Sequence, residues 1–429
     1  MPRARRIGAV LAAAAAVASL GMAAVPGLSA QAQDTGLPGD DIRLNEIQVV
    51  GSHNSYHLMP SQAELDLRRS VIGAAEDRME YRHLPLPDQF QEQKVRQIEL
   101  DVFVDKEGGR YAHPLLRSAA GVTAPLDPVM SEPGLKVFHI QDVDYESTCL
   151  TLEACLRAVK GWSDAHPTHV PIAILLELKD TPLELGDLPF VVPEPFDATA
   201  MNEVDSVIRS VFPADQVITP DDVRGSHATL PEALADTGWP TLGQSRGKVM
   251  FLMDNGGGYR DTYLAGASNL AGRMMFTNAD PGDDDAAFIK RNDPTDPSIP
   301  DLVRDGYVVR TRADSDTLEA RDNDTSQRDA ALASGAQWVS TDFPVPNFGV
   351  GFETDYFVEI PGGTVARCNP VNAPPDCVSA DLDQPGVPTT PTTSTSAATT
   401  STVGTDQDGT GVQGAAGASP LSGSPNYTG

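Results

Sequence analysis

Side chains suited to catalysis or metal binding follow several short apolar runs in this sequence. The first run, residues 47–50, leads through a glycine and a serine to His53 and Asn54. Later runs carry, at or near their ends, the polar residues Glu99, Asp101, His139 and Glu177. Parallel α/β sheets hold their functional groups at the carboxyl ends of the strands. We therefore predict that two imidazoles and several oxygen ligands meet at one end of a sheet, although each residue alone could simply end a strand at a turn.

The acidic residues have the spacing of a metal site. Glu99 and Asp101 flank Leu100 on a predicted strand, so both carboxylates point to the same side of the sheet. Two carboxylates held this close repel each other unless a positive charge lies between them. Each acid alone would more simply be a solvated or salt-bridged side chain. As a set, oxygen-bearing residues at the ends of three runs predict a Ca2+ site, with water and substrate completing the ligands. Its protein ligands would be Asn54, Glu99, Asp101 and Glu177.

His53 and His139 are the candidate catalytic pair. They end the first and third runs, and two histidines in one pocket suit in-line transfer at phosphorus, where one takes a proton and the other gives one. His113, which follows two glycines, is a rival for the role of His139. We prefer His139 because it ends a β-branched and aromatic run. His57 lies four residues after His53, but residues 52–56 have the composition of a loop and lack the glutamate of a helical metal motif, so His57 receives no role.

Eight apolar runs alternate with longer mixed segments. They lie at residues 47–50, 97–103, 136–140, 171–178, 248–253, 274–277, 307–311 and 337–341. This alternation is typical of parallel strands joined by helices, and eight such units predict a (β/α)8 TIM-type barrel over residues 45–345. The sixth run is the weakest, which also fits a distorted barrel. We expect helices at residues 61–69, 70–80 and 152–166, and a mobile loop at residues 278–300, which are rich in Asp, Pro and Asn.

The two ends of the chain differ in composition from the barrel region. Residues 1–32 combine three arginines with an alanine-rich apolar stretch and small residues, which indicates a cleaved signal peptide and secretion. Residues 346–383 are expected to form a small C-terminal cap. Residues 384–429 are rich in Thr, Ser, Gly and Pro, and they predict a disordered tail because they cannot bury a core.

Four cysteines in an exported chain suggest two disulfides. Cys149 with Cys155 and Cys368 with Cys377 would close the shortest loops, and this is one of three possible pairings. The second of these bonds would close the predicted cap.

The chain is strongly acidic, with a net charge of −29. Removal of the predicted signal peptide, residues 1–32, would leave 28 basic and 60 acidic residues. Such a surface repels polyanions, which argues against nucleic acid as a partner. An anionic substrate would need a bound cation or local basic residues. Lys179 and Arg310, near the ends of the fourth and seventh runs, are candidates for binding phosphate, although surface salt bridges explain each equally well. Asp254 and Asp342 end the fifth and eighth runs and are left unassigned.

Four segments carry a family resemblance. They are Gly-Ser-His-Asn-Ser-Tyr at 51–56, Ile-Glu-Leu-Asp-Val at 98–102, Lys-Val-Phe-His-Ile-Gln-Asp at 136–142 and Leu-Leu-Glu-Leu-Lys at 175–179. Together they resemble the secreted bacterial calcium-dependent phosphatidylinositol-specific phospholipases C. The order of the His-Asn pair, the Glu-x-Asp pair and the later Glu is shared with the eukaryotic phosphoinositide phospholipases C, whose catalytic domain is a barrel of this kind. The insertion at residues 109–135 departs from the family's more compact pattern because it separates the second and third runs. It leaves His113 as a rival for the role of second catalytic histidine.

The resemblance implies an enzyme that cleaves phosphatidylinositol-type lipids to diacylglycerol and a cyclic inositol phosphate. His53 and His139 would be its catalytic pair, and the four oxygen-bearing residues would hold Ca2+. The implied partner is a phospholipid membrane surface, contacted transiently by a secreted protein that we expect to be a monomer. Apolar residues 115–116 and 190–192 are candidates for that contact.

Two other functions are compatible with the sequence. Glycerophosphodiester phosphodiesterases use a similar barrel with a histidine, a Glu-x-Asp pair and a metal, but they usually have arginine after the first histidine, where this chain has Asn54. A secreted binding protein built on a catalytically inactive barrel is the second alternative.

Overall fold

The computed structural model describes residues 36–184, 188–315, 317–346, 352 and 354–383. The predicted signal peptide and the predicted disordered tail lie outside the described residues. The chain divides into Met1–Val387 and Pro388–Gly429, and the architecture below belongs to the first unit.

The strands of the described residues form one sheet. In chain order they are β1 (Ile47–Ser52), β2 (Gln97–Phe103), β3 (Lys136–Val137), β4 (Ile172–Leu178), β5 (Val217–Ile218), β6 (Val249–Met253), β7 (Met275–Thr277), β8 (Phe288–Lys290), β9 (Val308–Arg312), β10 (Trp338–Thr341) and β11 (Ala366–Cys368). Eight of them pair in parallel in the order β1-β2-β4-β6-β7-β8-β9-β10, and β10 returns to β1. The structure therefore confirms the predicted (β/α)8 barrel.

Two joints of the barrel are weak, so the barrel is distorted. A single parallel bridge between Asn278 and Phe288 joins β7 to β8. β1 pairs with β2 at one position, Gly51 opposite Gln97. A Cβ atom on Gly51 would lie 2.8 Å from Cβ of Gln97, so glycine is required for the two strands to approach.

Helices surround the sheet. They are α1 (Gln62–Ile72), α2 (Leu86–Glu92), α3 (Leu115–Ala119), α4 (Leu152–Ala165), α5 (Ala198–Val211), α6 (Pro220–Arg224), α7 (Leu230–Asp236), α8 (Leu242–Ser245), α9 (Gly257–Leu264), α10 (Ile299–Arg304), α11 (Leu318–Asp322) and α12 (Ser326–Ala333). Short 3-10 helices lie at Leu44–Glu46, Gly73–Met79, Pro128–Ser131, Ala214–Gln216, Ser268–Leu270 and Ser379–Asp381. Among the described helices, none is long and apolar enough to cross a bilayer.

The predicted amphipathic helix at 152–166 is α4. The Thr151 side chain accepts a hydrogen bond from the backbone N–H of Ala154 and caps its first turn. Leu156, Val159 and Trp162 form its buried face, as their spacing predicts. α1 runs through the expected break at residues 69 and 70 and ends at Gly73, whose φ of 61° stops the helix. Residues 73–79 then continue as a 3-10 helix rather than a second α-helix.

The structure corrects the third predicted barrel strand. β3 contains only Lys136–Val137 and pairs antiparallel with β2. The place in the ring belongs instead to β8, Phe288–Lys290, within the segment that we expected to be a loop. A strand of three residues in an Asp- and Pro-rich segment is too short to show a periodic pattern in the sequence. Its parallel pairing with β9 holds it in the strand conformation.

Both disulfides have the short-loop pairing, Cys149–Cys155 and Cys368–Cys377. Cys368 belongs to β11, which adds antiparallel to the amino-terminal half of β1. The division of residues 346–383 from the barrel as a separate cap stays a prediction.

Candidate active site

The carboxyl ends of the barrel strands gather the side chains that the sequence singled out. β1 delivers His53 and Asn54, and β2 carries Glu99 and Asp101. In the register of β2 with β4, Asp101 lies opposite Glu177. These positions follow from the parallel pairing, because the ends of parallel strands meet at one rim of the barrel.

His53 is held by a carboxylate from the neighbouring strand end. Its Nδ1 lies 2.8 Å from Oδ1 of Asp342, which is the first residue after β10. Arg312 Nη2 donates to the other oxygen of Asp342 at 3.2 Å, and Arg312 Nη1 lies 3.4 Å from Nε2 of His53. The pKa of His53 is lowered to about 3, because burial and the charge of Arg312 outweigh the opposing effect of Asp342. At neutral pH the ring is therefore uncharged, with its proton on Nδ1 and a lone pair on Nε2.

His139 is held in a different way. It follows β3, outside the ring strands, in a loop whose backbone N–H groups at 139 and 140 donate to the carbonyl of Asp144. The Nδ1 atom of His139 lies 2.8 Å from Oδ2 of Asp144, and its side chain is 19% exposed. Burial lowers the pKa of His139, and the hydrogen bond to Asp144 opposes this shift. The Nε2 atom is left for another partner.

The three acidic residues form a compact cluster. Glu99, Asp101 and Glu177 each offer an oxygen, and these oxygens lie within 4.8 Å of one another. Burial raises the pKa of Glu99 to about 7 against the effect of Arg310. Burial also raises the pKa of Asp101 well above its usual value, although Lys179 opposes the shift. Carboxylates that lie this close to one another favour a cation between them.

Asn54, which directly follows His53 after β1, is the fourth predicted calcium ligand. It has a φ of 42°, in the left-handed region that Asn tolerates. Its Nδ2 donates to the hydroxyl of Tyr81 at 2.8 Å. Its Oδ1 is buried and has no hydrogen-bond partner among the described residues. Within the same ranges, Oδ1 of Asp101 has no partner, and Oδ2 lies 3.3 Å from Nζ of Lys179. A neutral oxygen and three carboxylates with unused acceptor capacity fit a hard cation such as Ca2+.

Two basic side chains lie against this cluster. Lys179 Nζ is 3.3 Å from Asp101 and 3.2 Å from Glu177, and Arg310 forms a buried ion pair with Glu99. Arg310 also donates to the Asn292 side chain at 2.6 Å. Lys179 is 26% exposed and so can reach a ligand at the rim. Both candidates for phosphate binding therefore lie at the site, and their role there stays a prediction.

His113 lies on the surface, two residues before α3. It is exposed and lines a pocket of about 290 Å³ formed by residues of the segment 112–131. That pocket contains neither His53 nor His139, and the choice of His139 over His113 for the second imidazole stays a prediction.

Three residues of the site were assigned no role from the sequence. Asp342 was named as a strand end without a partner, and Asp144 and Arg312 were not recognised. Alternation along β9 puts Arg312 on the same face as the candidate Arg310, so the sequence pattern could have identified Arg312 as a site residue. Asp144 lies in a loop and has no local signal.

The fold and site together are those of a barrel enzyme with two imidazoles and a cluster of carboxylates that could hold a metal ion. The family model for Ca2+-dependent phosphoinositide phospholipase C matches residues 42–370. The chain belongs to this family.

Solved structures of similar architecture include two calcium-dependent enzymes. A calcium-dependent phosphoinositol-specific phospholipase C from Pseudomonas sp. is 18% identical, with 77% of this chain and 96% of that chain covered and a TM-score of 0.45. A Ca2+-dependent phosphatidylinositol-specific phospholipase C from Streptomyces antibioticus is 19% identical, with coverage of 70% and 95% and a TM-score of 0.45. A comparison with curated proteins gives no match.

Proposed function

We propose that this protein cleaves phosphatidylinositol-type lipids into diacylglycerol and a cyclic inositol phosphate. The observation that carries the proposal is the presence of two partly exposed imidazoles with separate carboxylate partners beside a three-carboxylate cluster at one barrel rim. Membership of the calcium-dependent family supports the same reaction.

His53 is the general base of the proposed reaction. Its Nδ1 proton is directed to Asp342, so Nε2 takes the proton of the inositol 2-hydroxyl as that oxygen attacks phosphorus. Burial keeps the pKa of His53 low, so the ring is unprotonated and ready to accept at neutral pH.

His139 is the general acid. It gives its Nε2 proton to the diacylglycerol oxygen as the bond from that oxygen to phosphorus breaks. Burial lowers the pKa of the free ring, and the negative phosphate of a bound lipid raises it again, which charges His139 when substrate is present.

Asn54, Glu99, Asp101 and Glu177 would hold the calcium ion. When bound, calcium supplies positive charge to the phosphate and lowers the pKa of the attacking hydroxyl. Lys179 and Arg310 lie beside these ligands and contribute further positive charge for the phosphate.

An apolar surface beside His139 is suited to contact with lipid. Leu188 and Val192 are 48% and 59% exposed in the connection after β4, on the side of the barrel that carries Glu177. Asp142 accepts the backbone N–H groups of Val191 at 2.5 Å and of Leu115 at 2.9 Å, which ties both predicted membrane segments to the loop of His139. Because the whole chain is acidic, apolar insertion rather than charge would drive docking on an anionic membrane.

The proposed location is outside the cell. Two disulfides agree with an oxidising compartment, and the predicted signal peptide supplies the route. The monomeric state stays a prediction.

Phosphatidylinositol vesicles incubated with and without calcium test the proposal through release of diacylglycerol and cyclic inositol phosphate. We expect His53→Ala and His139→Ala to abolish turnover and His113→Ala to retain it. Full activity in chelator would remove the calcium assignment. Hydrolysis of glycerophosphoinositol without cleavage of the intact lipid would favour the glycerophosphodiesterase alternative, and inactivity on every phosphodiester would favour the binding protein.

A further inference from the structure

His57, which received no role from the sequence, is a fully buried part of the structure around His139. Its Nδ1 lies 2.9 Å from the carbonyl oxygen of Tyr81, and its Nε2 lies 2.8 Å from Oδ2 of Asp144. Each nitrogen faces an oxygen atom, so the two contacts fix the orientation of the ring. Since no part of its side chain is exposed, His57 cannot reach a substrate.

Asp144 joins His57 to His139. The same oxygen, Oδ2, accepts from His57 Nε2 and from His139 Nδ1, each at 2.8 Å. The other oxygen lies 2.9 Å from Nη1 of Arg68, whose Nη2 in turn lies 2.6 Å from Glu76. Asp144, Arg68 and Glu76 are all buried, so the carboxylate is fixed from three directions in a medium of low dielectric.

The rings of His57 and His139 meet edge to face, with their centroids 5.9 Å apart. His57 also stacks on Tyr81 with a centroid distance of 4.5 Å, and the hydroxyl of Tyr81 accepts from Asn54. His57 therefore contacts Tyr81, which binds the proposed calcium ligand Asn54, and also Asp144, which binds the proposed general acid His139.

We infer that Asp144 and His57 act as a positioning pair for His139. Asp144 directs Nδ1–H of His139 to itself and so presents Nε2 to the leaving oxygen, and His57 fixes Asp144 in the orientation that does this. Neither residue exchanges a proton with the substrate. This inference rests on the proposed function, because it assigns the pair to the protonation of the leaving group.

The test compares two substrates that differ in their need for an acid. Diacylglycerol is a poor leaving group that must be protonated, whereas nitrophenolate leaves from a nitrophenyl ester of inositol phosphate without help. For His57→Leu and Asp144→Asn, we expect turnover of phosphatidylinositol to fall about 10²-fold and turnover of the nitrophenyl ester to fall less than about threefold. His57→Gln should recover most of the lipid activity, since its amide can still donate to Asp144.

Two controls separate the outcomes. His139→Ala must show the same dependence on the leaving group, and His113→Leu must leave both activities at the parental level. Equal loss on both substrates, or no loss on either, would overturn the positioning role. If His57→Leu fails to fold, Asp144→Asn, which keeps the size and polarity of the side chain, decides the question with the same pair of substrates. A parent protein inactive on phosphatidylinositol would instead refute the proposed function itself, before any variant is compared.

Discussion

Nδ1 of His53 lies 2.8 Å from Oδ1 of Asp342, across the joint between two strands that begin and end the barrel sequence. Arg312 binds the second oxygen of the same carboxylate. The carboxylate therefore fixes both the tautomer and the direction of the imidazole.

We expect Asp342→Asn to lower kcat by about 10²- to 10⁴-fold with little change in KM, because an amide can direct its NH2 group at Nδ1 and favour the wrong tautomer. Steady-state kinetics on phosphatidylinositol vesicles measures this effect. Asp301→Asn, at an exposed position on α10, is the matched control. A variant at 342 with parental kcat would show that the tautomer of His53 does not matter.

Calcium binding should depend on Glu177. Calcium that binds the folded state at a concentration of 100 Kd stabilises it by about 2.7 kcal/mol, which appears as a higher unfolding temperature. Glu177→Gln removes one charge from the cluster of Glu99, Asp101 and Glu177, so the calcium titration should shift to higher concentrations. Thermal unfolding across a calcium series measures the shift. Glu107→Gln, at an exposed position, should titrate as the parent does, and an unchanged titration for Glu177→Gln would place the ion elsewhere.

The apolar surface beside His139 should matter for vesicles and not for soluble substrate. Full burial of an aliphatic side chain is worth about 1.5 to 3 kcal/mol, so Leu188→Ser with Val192→Ser should weaken vesicle binding about 10- to 100-fold. Sedimentation with phosphatidylinositol vesicles measures binding, and the nitrophenyl ester measures catalysis. Val378→Ser, which changes another exposed apolar residue beyond β11, is the control. Parental vesicle binding by the double variant would exclude this surface as the docking site.

His169 should make the fold sensitive to acid. Burial lowers the pKa of His169 to about 4, and the ring lies between Ser163 Oγ at 2.7 Å and the Val170 carbonyl at 2.6 Å. The unfolded chain takes up this proton near pH 6.5 and the folded chain only near pH 4. The free energy of unfolding should therefore fall as the pH drops through that window, by about 3 kcal/mol from this residue.

Urea unfolding between pH 7 and pH 4 measures this contribution. His169→Gln should flatten the pH dependence by about that amount, and the exposed His113→Gln should leave it unchanged. An unaltered slope for His169→Gln would assign the acid sensitivity to other groups.

The strongest local patterns predicted the barrel. The run at 97–103 matches β2 residue for residue, and the spacing of Leu156, Val159 and Trp162 matches the buried face of α4. Both patterns are local consequences of burial, on two faces for the strand and on one for the helix.

Weak local patterns failed where the partner of a strand decides its identity. Phe288–Lys290 forms a ring strand because β9 offers it a pairing edge, and Lys136–Val137 turns antiparallel because it pairs back onto β2. Neither partner is encoded in the short segment itself.

The sequence by itself determined which chemical groups stand at the ends of the strands, because alternation and strand length are properties of neighbouring residues. Glu99, Asp101 and Glu177 meet at the predicted rim, and Nε2 of His53 lies 3.9 Å from Oε1 of Glu99. Only the tertiary structure decided which carboxylate each histidine received. Asp342 is 289 residues from His53 and becomes its neighbour through ring closure, and Asp144 holds His139 through a loop whose conformation depends on Arg68 and His57. A hydrogen bond requires a fixed distance and direction, and only the folded chain supplies both.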